Sequence, residues 1–457
     1  MKRLSYILII FFACASPKSD VQIKEGSIII SNVNIIDVRD GTVIENQHLL
    51  IDDGKITRIS DQAFSTSNQV NQIDGSGKYL LPGLAEMHAH IPSPDWGRKN
   101  YEETLFLYLS NGVTTIRGML GHPVHLEMRA RAKRNELLSP RIFSSSPSLN
   151  GNTVTSIEEA RTKVAAYKND GYDFLKLHPG LKLDVFNEIV KTANEVGIPY
   201  AGHVSVDVGI RRALESKYAT VDHVDGFLEG LVPESAGVNP SDNGFFGYNF
   251  TDLADTSMIG ELVSMTVVNK VWVVPTQSLF DRWFSSDSAN VFVEAPEMKY
   301  MPKSTLESWV NRKNSILSNP DFNAEQQQTF NSIRRQLIYQ LQKNGHGLLL
   351  GSDAPQVFNV PGFSIHHELK GIVDAGLTTL EAIQSGTINP AIFFNMEGEF
   401  GEIVEGASAD LILLSANPLD NLDKLRNPDG VMVRGRWLSR SDIDKRLEEI
   451  SASAAEN

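Results

Sequence analysis

Residues 81–90 read Leu81-Pro82-Gly83-Leu84-Ala85-Glu86-Met87-His88-Ala89-His90. A Pro-Gly break is followed by a short apolar run that ends in two histidines one residue apart. Side chains at i and i+2 of a strand share a face, so His88 and His90 can meet one metal ion. A lone His-x-His is a weak signal, and it gains weight only from the rest of the chain.

Downstream of Gly83, short apolar runs alternate with helix-length amphipathic segments, the pattern of βα units. The expected strands are Gly83–His88, Thr114–Arg117, Arg141–Ser145, Phe174–His178, Tyr200–His203, Val221–His223, Val271–Thr276 and Gly347–Ser352. Helices are expected at Tyr101–Asn111, Ser156–Asp170, Asp184–Val196 and Val208–Ser216. Eight such units over about 310 residues match a (β/α)8 TIM barrel, somewhat larger than the typical ~250 residues. The surplus lies in residues 227–270 and 277–345, long for βα connections and expected to cover the C-terminal face as lids. The barrel is placed at 83–396.

Both flanks read as β. Residues 26–82 carry Ser27-Ile28-Ile29-Ile30, Val33-Asn34-Ile35-Ile36 and His48-Leu49-Leu50-Ile51, with Asp53-Gly54 as a hairpin turn. Residues 397–440 carry Gly401-Glu402-Ile403-Val404, Ala409–Leu414 and Gly430–Val433. The two ends are expected to build one small, β-sandwich-like domain. The stretch 441–457 is either a short polar helix or unstructured.

The 457 residues are 41% hydrophobic and 21% charged, enough apolar material to fold and too much for a disordered chain. The formal charge is −14, which argues against a nucleic-acid partner. A basic start, Lys2-Arg3, precedes an apolar run from Leu4 to Ala13 and then Cys14, the only cysteine. That run is too short to span a bilayer and reads as a signal peptide. Phe11-Phe12-Ala13-Cys14 looks like a bacterial lipobox, with Cys14 diacylated and residues 15–25 as a tether. The alternative is cleavage at Ala13-Cys14-Ala15 and a soluble secreted protein. The chain is expected to be exported and to meet a membrane only through that N-terminal anchor. The sequence leaves a homo-oligomer open.

The chemistry gathers at the strand ends. Strand one ends at His88 and His90, strand four holds Lys176, strand five ends at His203, strand six at His223, and strand eight is followed by Asp353. In a barrel these share the C-terminal rim, where active sites are found. Lys176 sits in an apolar strand, where an unpaired ammonium would be costly. It therefore serves the site or is salt-bridged to a rim carboxylate. Asp353 is a ligand or a helix cap. His178 shares a face with Lys176 and is a candidate substrate contact. Arg117 either binds a substrate carboxylate or holds the rim. His367, with His366 beside it, comes after strand eight and is a third candidate for the pocket. His122 and His125 lie in a Gly/Pro loop after strand two and are weaker candidates. His48 and His346 read as structural.

These residues resemble the amidohydrolase superfamily. The resemblance runs through Leu81-Pro82-Gly83, His88-Ala89-His90, Lys176, Gly202-His203, Asp222-His223 and Gly351-Ser352-Asp353. It continues in His366-His367-Glu368-Leu369, Ala375-Gly376-Leu377-Thr378, Asn389-Pro390-Ala391 and Gly406…Ala409-Asp410-Leu411. It covers the chain beyond about residue 26 and points to the branch of imidazolonepropionase-like and Xaa-Pro-dipeptidase-like enzymes.

The resemblance implies two divalent ions, expected as Zn²⁺, held by His88, His90, His203, His223 and Asp353. It implies a carboxylated Lys176 bridging them, a shared hydroxide as nucleophile, and Asp353 as proton shuttle. The implied reaction is hydrolysis of a peptide-like or cyclic C–N bond in a small-molecule substrate. A lactone or ester hydrolase on the same site and a non-catalytic metal-binding lipoprotein are the alternatives. A deaminase of the superfamily fits less well: that group lacks the strand-four lysine and carries a Glu soon after the strand-five His, whereas Val204-Ser205-Val206 come after His203. A glycosidase would need paired carboxylates at the rim.

Overall fold

The computed structural model describes residues 23–65, 68–93 and 97–456. Cys14, the signal segment and most of the tether lie outside the described residues. The tether's last residues are docked: Ile23 is buried with Ile29 and Leu50.

Seven parallel strands succeed one another in chain order: Leu84–Ala89, Val113–Gly118, Arg141–Leu149, Phe174–Leu177, Tyr200–Gly202, Thr220–Asp222 and Trp272–Val274. The expected eighth segment closes the ring by single hydrogen bonds instead of a regular ladder. Leu349 N donates to Val273 O (2.9 Å), and on the other side Met87 N donates to Leu350 O (2.7 Å) and Asp353 N to His88 O (3.0 Å). Gly351 makes this closure possible. A Cβ there would stand 2.5 Å from Val274 Cγ1 and 2.8 Å from His88 N. Ala85, Met87, Val274 and Leu349 pack together as one buried cluster. The outer helices include Ile157–Asp170 and Leu183–Val196, each ended by a left-handed glycine, Gly171 and Gly197.

The chain ends build one mixed eight-stranded sheet. Ile28–Ile36 pairs antiparallel with Val43–Asp52 and parallel with Tyr79–Pro82. Tyr79–Pro82 pairs antiparallel with Leu411–Leu414, so the N- and C-terminal segments meet in mid-sheet with Leu81 opposite Ile412. The strand expected at Gly401–Val404 is not one. Gly401 turns the chain with φ +80, and a Cβ there would press to 2.4 Å from Thr387 O. Glu402 in that turn pairs with Arg39 at 2.9 Å. The C-terminal stretch is the helix Arg440–Ala455, started by a Ser439/Asp442 capping box. Its Ile443 and Ile450 are buried with Phe106 and Val431, which fastens it to both domains. Among the described residues no helix is long and apolar enough to cross a membrane.

Both long connections are ordered. Residues 245–253 form a kinked turn over the barrel mouth, and the helix Ile259–Asn269 comes after it. The second connection is mostly helical, with Lys303–Leu317 and Ala324–Lys343.

Candidate active site

All six expected ligands converge at the C-terminal face. His90 Nε2 lies 2.7 Å and His88 Nε2 3.5 Å from Asp353 Oδ1. Ligand atoms of His88, His90 and Asp353 lie within 4.8 Å of one another. The ring of His223 is 4.5 Å from that of His88 and 4.5 Å from that of His203. Lys176 is fully buried, with Nζ 3.9 Å from Asp222 Oδ2. Gly202 gives the lysine its path: a Cβ there would sit 3.2 Å from Lys176 Cδ and 2.3 Å from Leu177 O.

Two ligands leave the strands in unusual backbone. His223 has φ +66 and Asp353 φ +62, the left-handed region that non-glycine residues rarely adopt. Each such residue costs about 1–3 kcal/mol and persists where surroundings over-determine it. Polar side chains face the outward nitrogens of three of the histidines. His203 Nδ1 contacts Asp225 Oδ2 at 3.0 Å, and His223 Nδ1 contacts Thr276 Oγ1 at 2.9 Å. His88 Nδ1 lies 2.9 Å from Asp222 Oδ2, off the line of a good hydrogen bond. A partner on Nδ1 leaves Nε2 as the lone-pair nitrogen directed inward.

The donor set fits a divalent ion. His223 Nε2 and Lys176 Nζ are buried with no hydrogen-bond partner. Each such orphan costs about 1–3 kcal/mol unless something binds it. Burial pushes His88 and His223 well below the imidazole range, so both are neutral, the form that ligates metal. Burial also pushes the Lys176 ammonium down to about 8, within reach of the neutral amine. Imidazoles with carboxylate suit Zn²⁺, Mn²⁺ or Co²⁺.

The other candidates divide. His178 joins the site, stacked on His203 at 5.0 Å with Nδ1 2.7 Å from Ser148 Oγ. Of its two expected roles, Arg117 takes a structural place. It is fully buried below the ligands, bonded to Met87 O, Thr220 Oγ1 and Asp222 Oδ1. His367 is also corrected: it bonds Glu297 Oε1 at 2.8 Å. It lines a separate cavity of about 440 Å³ with Asp281, Arg282 and Lys370, which none of the six ligands lines. His366 faces Asn111, and His122 and His125 cap the helix Pro123–Lys133.

Sequence reading missed Asp222, Asp225 and Thr276 as supports, and Glu86. Glu86 Oε1 accepts the backbone N–H of both His88 (3.0 Å) and Ser352 (2.8 Å), tying strand one to the closing segment. Strand alternation places Asp222 on the face opposite His223. The left-handed turn at His223 cancels that alternation and lets both side chains face inward. The missed lid residue is Phe246, whose ring stands 5.8 Å from His203 and 5.6 Å from His223.

Fold and site together define a (β/α)8 barrel with a nitrogen-rich pocket at its C-terminal face whose residues could hold a divalent metal. Residues 79–438 match the amidohydrolase family, and the chain belongs to it. The family is one of hydrolases acting on carbon–nitrogen bonds.

Curated relatives match over short stretches. A dihydroorotase of Carboxydothermus hydrogenoformans is 39% identical over 71 residues, 16% of this chain and 16% of its own. An adenine deaminase of Clostridium acetobutylicum is 34% identical over 94 residues, 21% of this chain and 15% of its own. The matched stretch is thus about a sixth of those relatives' length. Among solved structures, bottromycin amidohydrolase superposes with a TM-score of 0.72 at 21% identity, covering 94% of this chain and 90% of its own. A putative prolidase from Bifidobacterium longum gives 0.65 at 22% identity, covering 93% and 99%. A Xaa-Pro dipeptidase with bound methionine gives 0.62 at 18%, covering 91% and 100%. At these identities the likeness is one of fold.

Proposed function

We propose that this protein is a metal-dependent hydrolase that cleaves an amide bond, peptide-like or within a ring, in a small-molecule substrate. The observation that carries the reading is the convergence of four imidazoles, Lys176 and Asp353 on one point of the barrel rim, with buried nitrogens that make no hydrogen bond among the described residues. The names of the solved neighbours, a prolidase and a Xaa-Pro dipeptidase, favour the peptide-like side of this reading.

His88, His90, Lys176 in a carboxylated form, His203, His223 and Asp353 would hold two divalent ions, expected as Zn²⁺. Bound there, divalent metal supplies water of lowered pKa and polarises a carbonyl. Asp353 would take the proton of the attacking water and pass it to the leaving nitrogen. Ser148 Oγ accepts from Asn150 Nδ2 at 2.8 Å and lies 2.7 Å from His178 Nδ1. With Ser148 as the donor, His178 would offer Nε2–H to a substrate oxygen. Phe246 roofs the imidazoles and excludes water from above.

The test is a panel of dipeptides, N-acyl amino acids, cyclic amides and lactones, run with Zn²⁺-, Mn²⁺- or Co²⁺-loaded and with chelated protein. Turnover of an amide class by loaded protein alone is the expected result. Turnover of lactones alone would move the reading to ester chemistry. Tight metal binding with no turnover across the panel would favour the binding lipoprotein.

Export with a lipid anchor at Cys14 is proposed from the sequence alone: Lys2-Arg3, the apolar run and the single cysteine. Incorporation of labelled fatty acid that Cys14→Ser abolishes is expected. Free protein in the medium, beginning at Ser16, would overturn it.

A further inference from the structure

We infer that Arg334, carried by the helix Ala324–Lys343 of the second insertion, is a positioning residue that braces His223. The inference rests on the reading of this pocket as a metal site. The pairing of Thr220–Asp222 with Trp272–Val274 ends where Asp222 faces Val274. Beyond His223 N, which still donates to Val274 O at 2.7 Å, both chains turn left-handed, His223 with φ +66 and Thr276 with φ +47, and the ladder between them stops. Their side chains still must meet, because the 2.9 Å contact of His223 Nδ1 with Thr276 Oγ1 sets the direction of Nε2.

One guanidinium spans the gap. Arg334 Nη1 donates to His223 O at 2.7 Å, Nη2 to Pro275 O at 3.1 Å, and Nε to Gln277 Oε1 at 3.0 Å. Its carbon lies 3.3 Å from the centroid of the Phe280 ring, and the residue is 2% exposed. The planar fork therefore grips both strand ends at once and is stacked in place. A lysine has one nitrogen at the end of a flexible stem and cannot reproduce the fork. The insertion expected only as a lid thus contributes a brace from behind the ligand.

The experiment compares wild type with Arg334→Met, Arg334→Lys, Thr276→Val and Thr276→Ser. The first readout is transfer of bound Zn²⁺ to a chromophoric chelator. Arg334→Met, Arg334→Lys and Thr276→Val are expected to release one ion about 10–100-fold faster, the scale for lost support of a ligand. The other ion should leave at the wild-type rate, and Thr276→Ser should behave as wild type. The second readout needs no metal: diethylpyrocarbonate labelling of His223 in stripped protein, read by peptide mass, should rise several-fold in Arg334→Lys and Thr276→Val. Wild-type chelation kinetics and wild-type labelling in these variants would overturn the brace. Failure of wild type to bind Zn²⁺ would sink the metal reading instead, and the labelling would still decide on the brace. Should Arg334→Met not fold, Arg334→Lys and Thr276→Val carry both readouts.

Discussion

Asp222 Oδ2 stands 2.9 Å from His88 Nδ1, with both side chains sealed from solvent at 0% and 1% exposure. Its other oxygen takes Thr220 Oγ1 at 2.6 Å and Arg117 Nη2 at 3.2 Å. Burial alone would raise this carboxyl, but Arg117 and Lys176 outweigh it and hold Asp222 below the usual carboxylate range. The charged carboxylate therefore links strand six to the imidazole of strand one and favours the tautomer that frees Nε2.

Asp222→Asn keeps the shape and removes the charge. Metal affinity and kcat/KM are expected to fall about 10–100-fold, the scale for lost support of a ligating histidine. Metal titration and kinetics measure both. Asp222→Ala should instead destabilise the fold, because it leaves Arg117 as a buried, uncompensated charge, at a cost of about 3–5 kcal/mol. A thermal melt separates the two. Wild-type metal affinity in Asp222→Asn would remove the carboxylate from the site.

Phe246 is a bulky residue held at φ +50, ψ +43, and its ring faces His203 and His223. Strain of this kind costs about 1–3 kcal/mol. Phe246→Gly should therefore cost little stability, since it relieves the backbone while losing a half-buried ring. KM for the best amide of the panel should rise several-fold as the roof is lost. A large fall in melting temperature with unchanged KM would make Phe246 a packing residue only.

Glu368 accepts the backbone N–H of Gln277 at 2.9 Å and of Ser278 at 2.7 Å, and burial pushes its carboxyl up to about 7 from 4.5. A carboxyl raised on folding binds its proton in the native state. Its contribution is therefore full below about pH 4.5 and is lost as pH rises through about 7. That shift corresponds to roughly 3 kcal/mol at most. Chemical denaturation from pH 5 to pH 8 should show a steeper decline for wild type than for Glu368→Gln. Parallel curves would mean that Glu368 titrates normally.

The barrel was legible because apolar runs and helix-length segments alternate; the close approach that needs Gly351 shows only in the structure. The six-residue cluster was legible because strand ends in a barrel share a rim. The supports were not, since they depend on backbone leaving the strand. Asp222 is hidden by alternation until His223 turns left-handed, and Thr276 lies just past its strand. Arg117, left open between substrate contact and structure, takes the structural place because the buried Asp222 carboxylate draws it inward. Arg334 lies 111 positions from His223, and nothing local in the sequence couples them. Gly401-Glu402-Ile403-Val404 looked like a strand by composition, but the glycine turns the chain and Glu402 is spent on Arg39.

The central claim is tested most directly by counting ions in purified wild type and Lys176→Ala while tracking hydrolysis. Lys176 is fully buried, its amine without a hydrogen bond among the described residues and 3.9 Å from Asp222 Oδ2, so it is either a ligand support or a buried salt-bridge residue. Wild type is expected to hold about two divalent ions per chain and to lose activity on chelation that added metal restores. Lys176→Ala is expected to fold, to lose at least one ion and most activity, and to recover part of both in high acetate or propionate, whose carboxylate can occupy the vacated space. Full hydrolysis by metal-free wild type, or Lys176→Ala with two ions and wild-type turnover, would contradict that claim.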